Sequence, residues 1–263
     1  IQSPDLSYTD TNLPDGTDDF SIGSWVKLDP QNPPTYEDDF STDNWTDKSS
    51  NIGVNNNQLE AISEFNNDDT SHIELSACDT SCLLQFKGSY TNVYGSGSSS
   101  KLIYVGLSDS ATGQSTSKDF AGFIFEQWNM PKYAISGHSV NGATLNYAST
   151  LNNLPSYSTT TAQTDKTYWY EIVRNGDTFT YNVYLDDTYG TPDGTYSETV
   201  TGITGLDKLI VTNRDGTGTN SGTFTMDIDD IVFHNGVTSV PVYNPNTKLL
   251  GLNDVTFNVG TTS

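Results

Sequence analysis

Basic residues are scarce in this sequence, which has 11 lysines and arginines against 33 aspartates and glutamates and a formal net charge of -22. Such a surface repels phosphate backbones and anionic lipid headgroups, so nucleic acids and acidic membranes are not expected as partners. Long apolar runs are missing as well. Because no stretch of ~18 apolar residues occurs, we expect no insertion into a membrane.

Cysteine is nearly absent, since Cys78 and Cys82 in ACDTSC are the only two. A zinc site needs more ligands, and the three histidines are scattered along the chain. The spacing favours a disulfide that closes a tight loop, with two reduced thiols as the alternative. A disulfide indicates an oxidising compartment, and a first residue other than methionine fits a mature protein after signal removal as well as a trimmed chain. We therefore expect an extracellular or cell-surface location.

Sustained helical periodicity is also missing, and short apolar runs instead alternate with turn clusters such as SGSSS and NRDGTGTNSG. Only 33% of the residues are hydrophobic, but 15 tyrosines, 11 phenylalanines and 4 tryptophans can bury enough area to hold a sandwich together. The pattern predicts an all-β fold, with the apolar run FAGFIFEQW inside a sheet. The predicted strands are 58–62, 72–77, 83–87, 101–107, 120–128, 133–135, both arms of a hairpin within 168–186, 196–200, 208–212 and 223–233.

The stretch 168–186, YWYEIVRNGDTFTYNVYLD, predicts a hairpin around Asn175-Gly176, because both central positions of a type I′ turn need positive φ. This turn places Arg174 opposite Asp177 and pairs Ile172 with Phe179. One face is then apolar and carries Tyr168, Tyr170, Ile172, Phe179, Tyr181 and Val183. The other face is expected to meet water or a ligand, and it carries Glu171, Thr178, Thr180 and Asn182, interrupted by Trp169 and Val173.

The closing strand, FTMDIDDIVFHNG, contains a shift of phase. Phe224 to Ile228 place alternate apolar residues on one face, whereas Ile231 and Phe233 would fall on the other. A β-bulge at Asp229-Asp230 restores one apolar face. The predicted organisation is an extended N-terminal arm over 1–35, a sandwich domain over 36–236 and a C-terminal extension over 237–263 that contains a strand.

Three segments, EDDFSTDNW, WYEIVRNGDTFTYNVY and MDIDDIVF, resemble strands of the concanavalin A-like lectin/glucanase superfamily, and FSIGSWVKLD is similar to a strand of laminin G-like modules of secreted proteins. The resemblance covers residues 36–236. It implies an antiparallel jelly-roll β-sandwich whose first and last strands lie together, with ligands on the concave sheet or at a calcium-bearing rim.

Catalytic motifs are absent from the sequence. Glucanases of this superfamily carry Glu-x-Asp-x-x-Glu or Glu-x-Asp-x-Glu on one strand, and neither occurs here, nor does a Gly-x-Ser-x-Gly elbow. Glu126 and Glu171 stand alone on predicted central strands. They are the candidates for an acid–base pair, which glycoside hydrolysis needs at ~5 to 9.5 Å, with solvated or hydrogen-bonded glutamates as the alternative interpretation. We expect a non-catalytic protein.

Aspartate outnumbers glutamate among the acidic residues, and it is both a turn residue and a hard oxygen ligand. Calcium is therefore the one cofactor that the sequence suggests, and capping of turns is the alternative role for these side chains. The three candidate clusters are Asn213, Asp215, Thr217 and Thr219; Asp186, Asp187 and Asp193; and Asp38 and Asp39 with Asp229 and Asp230. The resemblance places the third cluster on the adjacent first and last strands.

Sugar binding pairs an aromatic surface with a few well-placed polar groups. Trp169 and Trp128 are the candidate platforms, with Glu171 and Glu126 as polar partners, and packing is the alternative role for the two tryptophans. Trp45 is placed in the core. The sequon Asn44-Trp45-Thr46 predicts N-glycosylation at Asn44 in a cell that performs it.

These features favour a secreted, non-catalytic structural or adhesion protein of the cell surface. In this hypothesis the protein forms filaments or lattices by donating its terminal strands to copies of itself, and calcium assists glycan binding. The alternatives are a glycan-active hydrolase of the same superfamily and a carbohydrate-binding module of a larger protein.

Overall fold

A computed structural model describes residues 34–46, 49–63, 68–93, 101–113, 116–128, 132–145, 166–215 and 223–239. All of the regular elements in this part are β-strands, and it holds no helix that could cross a membrane. The strands predicted between residues 58 and 233 are all present, and β2 was not predicted. The strands are β1 (Tyr36–Asp38), β2 (Ile52–Asn55), β3 (Gln58–Ser63), β4 (Thr70–Cys78), β5 (Ser81–Val93), β6 (Lys101–Ser108), β7 (Lys118–Trp128), β8 (Lys132–Ala143), β9 (Thr167–Asn175), β10 (Thr178–Tyr184), β11 (Gly194–Thr199), β12 (Leu206–Asp215) and β13 (Thr223–Asn235).

The strands form two antiparallel sheets that pack face to face. The larger sheet has the order β11-β10-β9-β5-β13-β3-β2, with β1 also paired to β13, and the smaller sheet has the order β4-β12-β6-β7-β8. The first and last strands pair from Tyr36 with Phe233 to Asp38 with Ile231. The predicted all-β fold, an antiparallel jelly-roll β-sandwich whose first and last strands lie together, is therefore confirmed. The proposed arm and C-terminal strand lie mostly outside the described residues and stay predictions.

The core between the sheets consists of aromatic side chains on alternate positions of facing strands. Phe123 of β7 packs edge-on against Tyr170 of β9 and Tyr181 of β10, with ring centroids 5.2 and 5.6 Å apart. Phe86 stacks on Tyr170 at 5.0 Å. These rings are fully buried, so a few large side chains supply the apolar area that the composition otherwise lacks. Trp45 is 4% exposed, as predicted for a core residue.

The hairpin β9–β10 has the predicted faces, but its predicted register is wrong by two residues. Asn175 pairs with Thr178 and Tyr181 pairs with Ile172, so the two turn residues are Gly176 and Asp177. Gly176 has φ of 62° and is the only turn residue with positive φ, which corresponds to glycine at the first central position of a type II′ turn. A shift of two preserves the alternation, and the apolar face therefore still points into the core.

The bulge predicted in β13 is present. Asp229 pairs with Lys87 and Val232 pairs with Gln85, so Asp230 and Ile231 together oppose one residue of β5. Asp230 has φ of 50°. The bulge returns Ile231 to the side of the sheet that faces the core, where it is 1% exposed.

The corner between β4 and β5 connects the two sheets. Cys78 at the end of β4 and Cys82 in β5 form the predicted disulfide, and both are fully buried. Arg174 of β9, 3% exposed, reaches the same corner. Its guanidinium donates to the carbonyl oxygens of Cys78 and Ile203, both at 2.6 Å, and of Gly176 at 3.0 Å. One side chain thus holds three chain segments together.

Candidate functional site

The outer faces of the two sheets differ in character. On the smaller sheet, a second apolar cluster covers the outer face, and Leu145 packs on Tyr104, Phe120 and Ile124 with all four side chains at most 1% exposed. On the larger sheet, the outer face carries polar and aromatic side chains. The larger sheet therefore offers the more open surface for a ligand among the described residues.

We use the name polar–aromatic face for a group of side chains on the outer side of β5, β9, β10 and β13 and on the loop after β10. Period-two alternation places them there, because their sequence neighbours Phe86, Tyr170, Val183 and Ile228 fill the core. The group lies on adjacent strands in two rows of the sheet. Its members are Gln85, Lys87, Trp169, Glu171, Asn182, Tyr184, Tyr189, Asp229 and Asp230.

Glu171 is the centre of the polar–aromatic face. It is 8% exposed, and its carboxylate accepts hydrogen bonds from Gln85 Nε2 at 2.8 Å, Asn182 Nδ2 at 2.9 Å and the Tyr184 hydroxyl at 2.8 Å. Thr195 in turn donates to Asn182 Oδ1 at 2.7 Å. These bonds run across four adjacent strands, so the carboxylate and both amides have fixed orientations.

Three aromatic side chains lie beside Glu171. Trp169 sits between Tyr184 and Lys87 in the register of the sheet and is partly exposed. Tyr189 packs edge-on against Tyr184 with centroids 5.1 Å apart. Burial chiefly raises the pKa of the Tyr189 phenol, and the nearby charges of Glu171 and Asp230 raise it further. The loop after β10 therefore folds back over the outer face.

Lys87 and the bulge of β13 form the other end of the face. The Lys87 ammonium is 2.9 Å from Asp229 and 3.4 Å from Asp230. The hydrogen bond with Asp229 is the main reason why the pKa of Lys87 is raised. Gln58 also donates to Asp229 at 3.3 Å. The bulge thus brings two carboxylates to one cation within reach of Trp169, which pairs with Lys87 in the register.

A further carboxylate pair lies on the next row of the same outer face. Asp227 of β13 is directly opposite Glu60 of β3. Burial, and secondarily the charge of Glu60, raises the pKa of Asp227. Like charges directly opposite each other in an antiparallel pair are destabilising. The two carboxyl groups also add to the negative potential of the face.

The two glutamates singled out in the sequence do not meet. Glu171 is on the outer face of the larger sheet, whereas Glu126 is on the outer side of β7 in the smaller sheet, 1% exposed and next to the core residue Phe125. The whole core lies between them, so the hypothesis that Glu126 and Glu171 form an acid–base pair is wrong. Trp128 ends β7, and its side chain lies outside the described residues.

The proposed calcium clusters are not assembled in the described part of the chain, where no group of three His, Cys, Asp or Glu side chains could hold a metal ion. Asp38 points inward, 6% exposed, and its carboxylate accepts bonds from Tyr36 OH, Phe40 N and Trp45 Nε1, while the exposed Asp39 accepts one from Ser41 N. Asp229 and Asp230 of the last strand, β13, instead point outward to Lys87. Strand alternation therefore separates Asp38 from Asp229 and Asp230.

The described residues of the other two clusters that form hydrogen bonds also make ordinary turn and strand contacts. Asp186 is exposed and caps Thr188, accepting bonds from its backbone N at 3.0 Å and its hydroxyl at 2.5 Å. Asn213 is buried, accepts from Asp69 N at 2.8 Å and donates to Ile62 O at 2.6 Å. Asp187 and Asp193 are exposed. The Asp215 side chain and residues 216–222, including Thr217 and Thr219, lie outside the described residues.

The sequon residue Asn44 is exposed, and its side-chain amide donates to Thr42 Oγ1 at 3.2 Å. Trp45, the middle residue of the sequon, is buried and donates from its indole to Asp38 at 3.1 Å. The glycosylation of Asn44 stays a prediction, and its side chain is open to solvent.

An alginate lyase, Aly36B, is similar in structure, with 12% sequence identity and a TM-score of 0.49, and the match covers 76% of this chain and 89% of that chain. The carbohydrate recognition domain of Emp47p has 10% identity and a TM-score of 0.49, with 78% of this chain and 95% of that chain covered. A legume lectin-like domain from Entamoeba histolytica has 11% identity and a TM-score of 0.48, with 73% of this chain and 90% of that chain covered. No protein-family model matches the chain, and no curated protein matches it.

Sequence reasoning missed Tyr184, Tyr189, Gln85, Lys87 and the pair of Glu60 with Asp227. The alternation within the hairpin carries the signal for Tyr184, which has the parity of Asn182. Gln85 and Lys87 required the pairing of β5 with β9, two strands far apart in the sequence. Tyr189 lies in a loop and carries no periodic signal.

Proposed function

We propose that this protein is a non-catalytic carbohydrate-binding protein of the extracellular space or cell surface, and that it binds sugar on the polar–aromatic face. The observation that carries the proposal is the Glu171 carboxylate, held by two side-chain amides and a tyrosine hydroxyl beside the partly exposed Trp169. The buried disulfide between Cys78 and Cys82 supports the extracellular location.

The chemistry of this face suits a sugar. A pyranose presents an apolar face of C–H groups and a rim of hydroxyls, and binding sites for such ligands combine aromatic surface with a few polar groups in fixed positions. Trp169 supplies the aromatic surface. Glu171, Gln85 and Asn182 supply acceptors and donors whose orientations are already fixed by their mutual bonds, so little side-chain freedom is lost on binding.

Replacement of Trp169 by alanine is expected to weaken glycan binding about thirtyfold, which corresponds to a loss of about 2 kcal/mol for a central aromatic contact. The measurement is calorimetric titration with an oligosaccharide first identified on a glycan array. Trp169→Phe keeps a ring and should retain part of the affinity. Unchanged affinity in Trp169→Ala would reject the polar–aromatic face as the site.

Thr180→Ala is the matched control for this experiment. Thr180 lies on the outer face of the same hairpin, and its hydroxyl is bonded only to Ser197 at 2.8 Å among the contacts of the structure described here. Its loss should leave glycan affinity within twofold, roughly the scatter expected for a surface substitution away from the contact.

A second candidate function, glycoside hydrolysis, has the pair of Glu60 and Asp227 in its favour. The two carboxyl groups face each other on adjacent strands, and the raised pKa of Asp227 is the kind of difference that separates an acid from a base. Release of reducing sugar that is lost in both Glu60→Gln and Asp227→Asn, with glycan binding retained, would replace the non-catalytic proposal. If no reducing sugar is released from any glycan that the protein binds, the non-catalytic proposal is supported.

Calcium assistance and self-assembly are further parts of the proposal. In the described part of the chain, the edge strand β11 pairs with β10 on one side, and its Thr195, Ser197 and Thr199 are exposed. Such an edge can accept a strand donated by another copy. Sedimentation velocity over a concentration series, in calcium and in EDTA, tests both. A protein that sediments as a monomer throughout contradicts self-assembly, and identical glycan affinity in the two buffers contradicts a role for calcium.

A further inference from the structure

The polar–aromatic face is surrounded by negative charge. Glu171 lies at its centre, Asp229 and Asp230 at the bulge, and Glu60 and Asp227 on the next row. Lys87 is the one lysine or arginine on this face among the described residues, and Asp229 and Asp230 both contact its ammonium. Every cation that the described face offers is thus already neutralised.

The fixed hydrogen bonds contribute to the negative electrostatic potential of the face as well as to its shape. Gln85 and Asn182 each direct one amide N–H to Glu171, so that only the second N–H of each neutral amide is left for a ligand. A ligand carboxylate or sulfate placed beside Trp169 would lie next to Glu171 and the bulge carboxylates without a free positive partner. Removing such a group from water without a partner is costly, and the formal charge of -22 on the whole chain repels polyanions at longer range.

From this charge arrangement we infer that the polar–aromatic face selects neutral or amine-bearing sugars and rejects glycans that carry carboxylate or sulfate groups. The inference rests on the proposed function and names the ligand class for the same site. Neutral hydroxyls donate to carboxylate oxygens at no electrostatic cost, and a sugar ammonium group adds an attraction that salt weakens.

The test uses matched pairs of polysaccharides that differ mainly in charge. The pairs are β-mannan with polymannuronate, galactan with polygalacturonate, and dextran with dextran sulfate, with chitosan as the amine-bearing probe. Binding of the full chain to immobilised polysaccharide is measured at low and at physiological salt. We expect the neutral member of any bound pair to bind at least about tenfold more tightly than its anionic partner, and any binding to chitosan to weaken as salt rises.

The outcomes separate the inference from the proposed function. Binding of an anionic member as tightly as its neutral partner overturns the charge selection but leaves a sugar-binding protein. Binding to none of the seven probes and to no glycan on an array overturns both.

A charge variant gives a second, independent readout. Asp229→Asn combined with Asp230→Asn releases the Lys87 ammonium, so the ratio of anionic to neutral binding should rise at least about tenfold. Asp207→Asn is the matched control, because it removes the nearer of the two carboxylates that contact Lys208, 2.6 Å away at the start of β12 in the smaller sheet, and should leave the ratio unchanged. An unchanged ratio in the double variant, with thermal unfolding showing a folded protein, contradicts the inference.

Discussion

Replacement of Arg174 by methionine is expected to lower the free energy of unfolding by about 3 to 5 kcal/mol. The guanidinium is 3% exposed and donates to three carbonyl oxygens at the corner between the sheets. Each buried carbonyl that loses its donor costs about 1 to 3 kcal/mol, and the relief of burying a charge offsets part of the sum. Burial lowers the pKa of Arg174, as expected for a charge held away from water. Urea denaturation measures the change.

Arg174→Lys separates the charge from the geometry. Lysine keeps the positive charge but lacks the planar fork that reaches Cys78, Gly176 and Ile203 together, so we expect it to recover about half of the loss. A loss below about 1 kcal/mol in Arg174→Met would mean that other contacts hold the corner.

Gly137→Ala is expected to destabilise the protein by about 3 kcal/mol, because the core has no room for one added methyl group. Gly137 of β8 faces the ring of Tyr181, which is fully buried, and an added Cβ would overlap that ring. The Tyr181 hydroxyl is hydrogen-bonded to Ser139, also on β8, so the ring is held at both ends. Thermal or urea unfolding gives the size of the effect.

Gly53→Ala is the matched control for Gly137→Ala. Gly53 is also a strand glycine, in β2, but the nearest atom to an added Cβ is 3.9 Å away. The substitution should change the free energy of unfolding by less than about 0.5 kcal/mol, or stabilise slightly through the lower entropy of the unfolded chain. Equal effects of the two substitutions would contradict the close packing of β8 against β10.

The fold could be predicted in most of its parts because its signals are local. Period-two alternation set the buried faces of β9 and β10, and the broken alternation near Asp229 and Asp230 located the bulge. The predicted hairpin register was wrong because it depends on the position of one turn residue. Gly176 can occupy either central position of a two-residue turn, and the sequence does not say which. Since the error was two residues, the faces were unaffected.

The candidate site could be predicted only in part, because it depends on pairing between distant strands. Trp169 and Glu171 were identified from their own strand. Their partners Gln85 and Lys87 come from β5, which lies next to β9 only in the folded sheet. For the same reason Glu126 and Glu171, which look equivalent in the sequence, lie on opposite sides of the core. The position of a residue on its strand was predictable, whereas the neighbour across the sheet was not.

The most direct test of a sugar site on the polar–aromatic face is NMR of the labelled protein during titration with a bound oligosaccharide. We predict that the largest shifts occur at the side-chain amides of Gln85 and Asn182 and at the Trp169 indole, with His138 on the smaller sheet unaffected. Shifts concentrated on the outer face of the smaller sheet, or none on β5, β9 and β10 at saturation, would contradict the account.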